Sequence, residues 1–163
     1  MLPHKITQVE ILVQFLKMRE MTVATAESCT GGLLGKQITD VPGASAVYPG
    51  GVISYCDRIK KEILGVDGEL LRTRGAVSEP VARQMAERVR EVFGTDLGVG
   101  VTGLAGPDSD GSGRPVGLVY VAAADGERTL CREFVFEGDR GAVRAQAAEA
   151  AADLALRLID TLN

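Results

Sequence analysis

The sequence predicts a three-layer α/β/α fold around a mixed sheet of about five or six strands. Helical and strand-like patterns alternate through the first two thirds of the chain, as layered α/β folds require. Near the end, "VGLVYVAAA" and "RTLCREFVF" flank Asp125-Gly126, a two-residue hairpin signature that makes two strands antiparallel. Apolar residues make up 45% of the 163, but aromatics only 4% with no Trp, so Val, Leu, Ile and Ala must build the core.

Taken in order, "ITQVEILVQFLKMRE" carries Ile6, Val9, Val13 and Leu16 at helical spacing. Thr22–Ala26 reads as a short strand, and residues 30–39 as a helix closed by "DVPGAS". "AVYPGGVISYC" is a strand bent at Pro49-Gly50-Gly51, and "DRIKKEILGV" a short helix ending at Gly65. "SEPVARQMAERVREVFG" is the clearest helix: Ser78 is the expected N-cap, Pro80 sits in the first turn, and Val81, Met85, Val89 and Val92 form the buried stripe. "LGVGVTG" is a strand that runs into a loop rich in Gly, Asp and Ser. The last helix starts at Arg140, with Val143, Ala147, Ala151, Leu154 and Leu158 on one face. The length suits one domain, 1–163, with a full core.

Composition narrows function. Net charge is −4 without a Lys/Arg run, which argues against nucleic acid as a partner. No apolar stretch is long enough to span a membrane, and "MLPHKITQVE" lacks a signal-peptide core. Cys29, Cys56 and Cys131 show no metal-type spacing, so the expectation is a cytoplasmic protein.

Ligands in open α/β sheets gather outside the carboxyl ends of strands. Two segments fit: Glu27–Gly32 after the first strand, and Thr102–Gly113 after "LGVGVT". Both offer hydroxyls and glycines, but Ser28 or Thr30 capping a helix would explain the first equally well. "GLAGPDSDGSG" matches neither GxGxxG nor a P-loop. If Ser28 is a nucleophile it needs a base, and the only imidazole, His4, lies near the terminus. A lysine made neutral by its surroundings is the remaining common choice, with Lys60 and Lys61 as candidates near Tyr55.

"TAESCTGG", "GGVISY" with Lys60 five residues after Tyr55, "GAVSEPVARQMA", "VTGLAGP", "RPVGLVYVA" and "FEGDRGAVR" occur together and in order. The combination resembles the C-terminal domain of CinA (competence/damage-inducible) proteins, which also exists as a stand-alone nicotinamide-nucleotide amidohydrolase. The resemblance implies hydrolysis of the carboxamide of nicotinamide mononucleotide to nicotinate mononucleotide and ammonia, with no metal or cofactor. It implies Ser28 as nucleophile, Lys60 as base and Tyr55 as proton relay or orienting group. Thr30, Gly31, Ser45, Thr102, Gly103, Ala105 and Gly106 match positions around the substrate, and Arg144 a position expected to meet its phosphate. Family proteins tend to self-associate, so a homo-oligomer, a dimer first, is expected. Two departures stand out: Cys56-Asp57 where relatives often carry Ser-Asn, and "PDSDGSG" where a Gly-Gly-rich loop is usual. The larger N-terminal domain of full-length CinA proteins is not matched. Two other readings remain open. The same pocket could serve a non-catalytic pyridine-nucleotide-binding module, or Cys29 could be the nucleophile with Glu27 and Lys60 assisting.

Overall fold

The structure, a computed structural model, describes residues 3–160. A five-stranded mixed sheet has the order β2-β1-β3-β4-β5. β1 (Val23–Glu27), β2 (Gly50–Ile53) and β3 (Leu97–Gly103) are parallel, while β4 (Leu118–Ala124) and β5 (Thr129–Val135) add an antiparallel hairpin. One face of the sheet carries α1 (Gln8–Arg19), α2 (Leu33–Thr39) and α6 (Arg140–Asp160). The other carries α5 (Glu79–Phe93), with α4 (Gly68–Arg74) packed against it, while α3 (Asp57–Glu62) follows β2. The expected architecture is therefore the observed one.

Local chemistry explains the boundaries. Thr7 and Glu10 form a reciprocal capping box that starts α1 after Ile6, so Ile6 is left exposed and Leu12 takes the fourth buried position. α5 has Ser78 at the N-cap position, but its hydroxyl donates to Gly75 O instead of capping. Val92 lies outside the buried stripe, 55% exposed. α4 had no sequence expectation; Asp67 caps it through Glu69 N–H. In the hairpin, Asp125 stands beside the turn, not in its centre: its carboxylate accepts from Glu127 and Arg128 N–H, and its own N–H donates to Arg128 O.

Small residues let the layers meet closely. A Cβ at Gly98 would collide with Ala86 O, and one at Gly100 would lie 2.8 Å from Ala82 O, so α5 rests directly on the backbone of β3. Ala82 and Ala86 continue that contact onto Ala122 and Ala124 of β4. The parallel strands β1, β2 and β3 all point their carboxyl ends toward one rim, where the chemistry gathers.

Candidate active site

β1 ends at Glu27, and Ser28 follows with its N–H still bonded to Val101 O (2.9 Å). The serine is therefore fixed at the carboxyl edge of the sheet. Beyond it Gly31 (φ +57°) and Gly32 (φ +100°) turn the chain through left-handed backbone into α2, which starts three residues later than the sequence pattern suggests. Neither Ser28 nor Thr30 caps α2. The cap comes from Glu27, whose two carboxylate oxygens accept from Leu34 N–H (2.8 Å) and Gly35 N–H (3.0 Å). The Thr30 hydroxyl is wholly buried and has no hydrogen-bond partner among the described residues.

β2 delivers the partner. After Ser54 and Tyr55 the chain enters α3, whose single buried residue is Lys60, 1% exposed. Lys60 Nζ donates to Ser28 Oγ (2.9 Å) and to Ser54 O (2.7 Å). No ion pair among the described residues includes Lys60. Burial lowers its pKa from the ordinary lysine value, partly opposed by the Asp57 charge on the same helix. A lysine so placed can exist as a free amine with a lone pair toward Ser28. Lys61, its neighbour, is exposed.

The pair opens into a cavity of about 320 Å³. Its walls include Tyr55, Asp57, Val77, the strand end and loop from Thr102 to Gly106, Asp108 and Arg140. Thr102 Oγ1 donates to Ala76 O (2.9 Å), so this hydroxyl holds a wall in place. Arg140, at the start of α6, donates to Gly106 O (2.6 Å) and to the Tyr55 hydroxyl (3.1 Å). Cys29 also borders the cavity, but burial pushes its thiol up to about 11.

The comparisons with known proteins follow this geometry. The family model described as the CinA C-terminal domain matches residues 6–159. The chain belongs to that family. A CinA-like protein of Gemmatimonas aurantiaca is 49% identical over 137 residues, covering 83% of this chain and 32% of its own length. The chain spans about a third of the length of the curated relatives it matches. Among solved structures, a competence-damaged protein (CinA) superfamily protein from Escherichia coli aligns with TM-score 0.89 at 32% identity, covering 93% of this chain and 88% of that one. The competence/damage inducible protein CihA from Agrobacterium tumefaciens aligns with TM-score 0.87 at 32% identity, covering 95% and 99%.

Within this CinA domain the expected residues divide. Ser28, Lys60, Tyr55, Thr102, Gly103, Ala105 and Gly106 border one cavity, Lys60 touching Ser28 directly. Tyr55 is not bonded to Lys60; it is 63% exposed and its hydroxyl accepts from Arg140. Thr30 and Gly31 lie in the turn behind the cavity and do not border it. Ser45 is far away: its exposed turn runs into Val47, whose carbonyl bonds Val23 N–H at the opposite, amino end of β1.

Arg144 also misses the cavity. Its guanidinium donates to Cys29 O (3.1 Å) and Thr30 O (2.8 Å) on the back of the serine turn. Arg140, one helical turn earlier, is the cation that faces the cavity. A clue to it was present in the sequence. Arginine in the first turn of a helix opposes the positive end of the helix dipole, so another interaction must hold it there.

Proposed function

We propose that this chain is an amidohydrolase that converts nicotinamide mononucleotide to nicotinate mononucleotide and ammonia. One observation carries the reading: a wholly buried lysine, with no ion-pair partner among the described residues, touches a serine hydroxyl at the wall of a cavity. Structural lysines are rarely buried unpaired, because burial penalises the charge. A base for serine needs that same penalty.

In this reading the neutral Lys60 amine accepts the Ser28 proton as Oγ bonds to the carboxamide carbon. The Lys60 ammonium then returns a proton to the nitrogen, the C–N bond breaks and ammonia leaves. Water attacks the resulting ester, its proton passes to Lys60 and on to Ser28 Oγ, and the carboxylate is released. Ser54 O holds Nζ in place throughout (2.7 Å). The amide of Cys29, which borders the cavity and meets no backbone carbonyl among the described residues, is the donor best placed for the tetrahedral oxygen. Arg140 takes the phosphate role that the resemblance implied for Arg144. Cys29 is left out as a nucleophile, since a buried thiol with its pKa near 11 holds its proton. Glu27 is left out as a proton carrier, since two backbone N–H groups occupy its carboxylate. For assembly the reading keeps a homodimer, with the open edge strand β5 and its exposed Val135 available for pairing.

Ammonia release from nicotinamide mononucleotide by purified protein, followed across a pH series, tests the activity. Release that Ser28→Ala abolishes supports it; folded protein that binds the nucleotide without turnover at any pH overturns it and favours the binding module.

A further inference from the structure

A buried carboxylate and a half-buried guanidinium flank the Ser28 turn and take no part in the proton transfers above. Glu27 lies on one side, 2% exposed, with both oxygens on the first N–H groups of α2. Arg144 lies on the other, with Nε and Nη2 on consecutive carbonyls, Cys29 O and Thr30 O. Neither forms an ion pair among the described residues, so each charge is matched by backbone dipoles alone. A Cβ at Gly31 would stand 3.3 Å from Arg144 Nη2, so the turn's glycine permits this close approach.

The geometry points to Glu27 and Arg144 as a pair of positioning residues that clamp the Ser28–Gly32 turn from both ends and so fix the Cys29 amide that meets the substrate's carbonyl oxygen. This inference rests on the hydrolase reading. A peptide unit is planar, with N–H opposed to C=O, so anchoring Cys29 O fixes where Thr30 N–H points. Anchoring Thr30 O does the same for Gly31 N–H, which closes the turn on Ser28 O (3.0 Å), and Ser28 O shares its planar unit with Cys29 N–H, the donor at the cavity wall. The guanidinium also polarises both peptide units, and the strengthened Gly31 N–H polarises the Ser28–Cys29 unit in turn, making Cys29 N–H a better donor. At the other end, Glu27 ties the last residue of β1 to α2 and leaves the turn no freedom to slide. An unclamped turn with two glycines in left-handed backbone would sample other orientations. Preorganised donors contribute mainly in the transition state, so the clamp acts on kcat.

The test compares Arg144→Gln and Glu27→Gln with the parent on nicotinamide mononucleotide and on nicotinamide riboside, which lacks the phosphate. Amide hydrogen exchange of residues 28–35 is measured on the same proteins. The clamp predicts that kcat falls on the order of a hundredfold on both substrates while KM holds within about threefold. It also predicts faster exchange in the turn. A rise in KM confined to the nucleotide after Arg144→Gln would overturn it in favour of a phosphate contact. Unchanged exchange in both variants would overturn it as well. If the parent releases no ammonia, the hydrolase reading fails by itself, and the exchange measurement still decides whether the clamp exists.

Discussion

The parallel and antiparallel halves of the sheet treat polar groups in opposite ways. The buried polar residues Thr25, Glu27, Ser28, Thr30, Ser54, Lys60, Ser78, Thr95 and Thr102 all belong to the parallel half, its loops and its helices. β4, β5 and the buried face of α6 contribute only apolar side chains to the interior. Burying polar groups is costly, and this chain places most of that cost at or beside the carboxyl strand ends where a ligand can approach, Thr25 within β1 and Thr95 before β3 being the exceptions. The hairpin and α6 supply the apolar burial that offsets it. The exception sharpens the contrast: α6 sends Arg140 and Arg144 back to the rim from its first turns, outside its apolar stripe.

If that division holds, substitutions in the two halves should separate activity from stability. The largest effects fall on the polar pair. Ser28→Ala and Lys60→Met should each lower kcat by on the order of 10^4 or more in an ammonia assay, with the fold intact by circular dichroism. Lys61→Met should leave kcat unchanged, since that side chain is exposed. Lys60→Met should also change the pH dependence of stability. Burial lowers the folded-state pKa of Lys60, so the unfolded chain binds its proton more tightly. The native state thus loses stability as pH falls from about 10.4 toward the folded value, below which the loss is constant. The Tm of Lys60→Met relative to the parent should therefore climb as pH is lowered through that window, and a gap independent of pH would contradict a neutral Lys60.

Next come the cations of α6. Arg140→Ala should raise KM for nicotinamide mononucleotide roughly tenfold to a hundredfold and leave nicotinamide riboside nearly untouched, the size of a lost charge-assisted bond. Equal losses on both substrates would put Arg140 among the wall supports instead. Gly98→Ala, where β3 meets α5, should do the reverse. Its Cβ has no space before Ala86 O, so thermal melts should show a loss of about 2 kcal/mol or more, with the kcat of the folded fraction retained. A large loss of kcat there would break the separation of the polar rim from the apolar packing beneath it. The smallest effect belongs to Asp57, whose charge holds the Lys60 pKa up against burial. Asp57→Asn should move the rising limb of kcat/KM to lower pH, and a shift to higher pH would reverse the assigned sign.

The same division explains what could be read in the sequence. α5, α6 and the hairpin follow hydrophobic periodicity because they bury only apolar faces, and they lie where the pattern places them. α3 defies it. Hydropathy in "DRIKKEIL" would bury Ile63 and expose both lysines, yet Ile63 is 52% exposed and Lys60 is buried. Functional sites are where local rules are expected to fail, and only the family resemblance chose Lys60 over Lys61. The resemblance gave residue types in order but not side-chain directions. Hence the resemblance places Arg144 and Ser45 around the substrate, while the fold brings Arg140, in the same "GDRGAVR" string, to the cavity. α4 carries no such signal because about two turns with Leu70-Leu71 are too short to show a period.

The account's central claim is that Lys60 works as a neutral base on Ser28. It is tested most directly by labelling lysine side chains with 13C at Cε, following the Lys60 resonance against pH, and assigning it by its loss in Lys60→Met. The account predicts a titration well below that of the other lysines, with a midpoint that coincides with the rise of kcat/KM on nicotinamide mononucleotide. A Lys60 that keeps its proton across the pH range of full activity would contradict it.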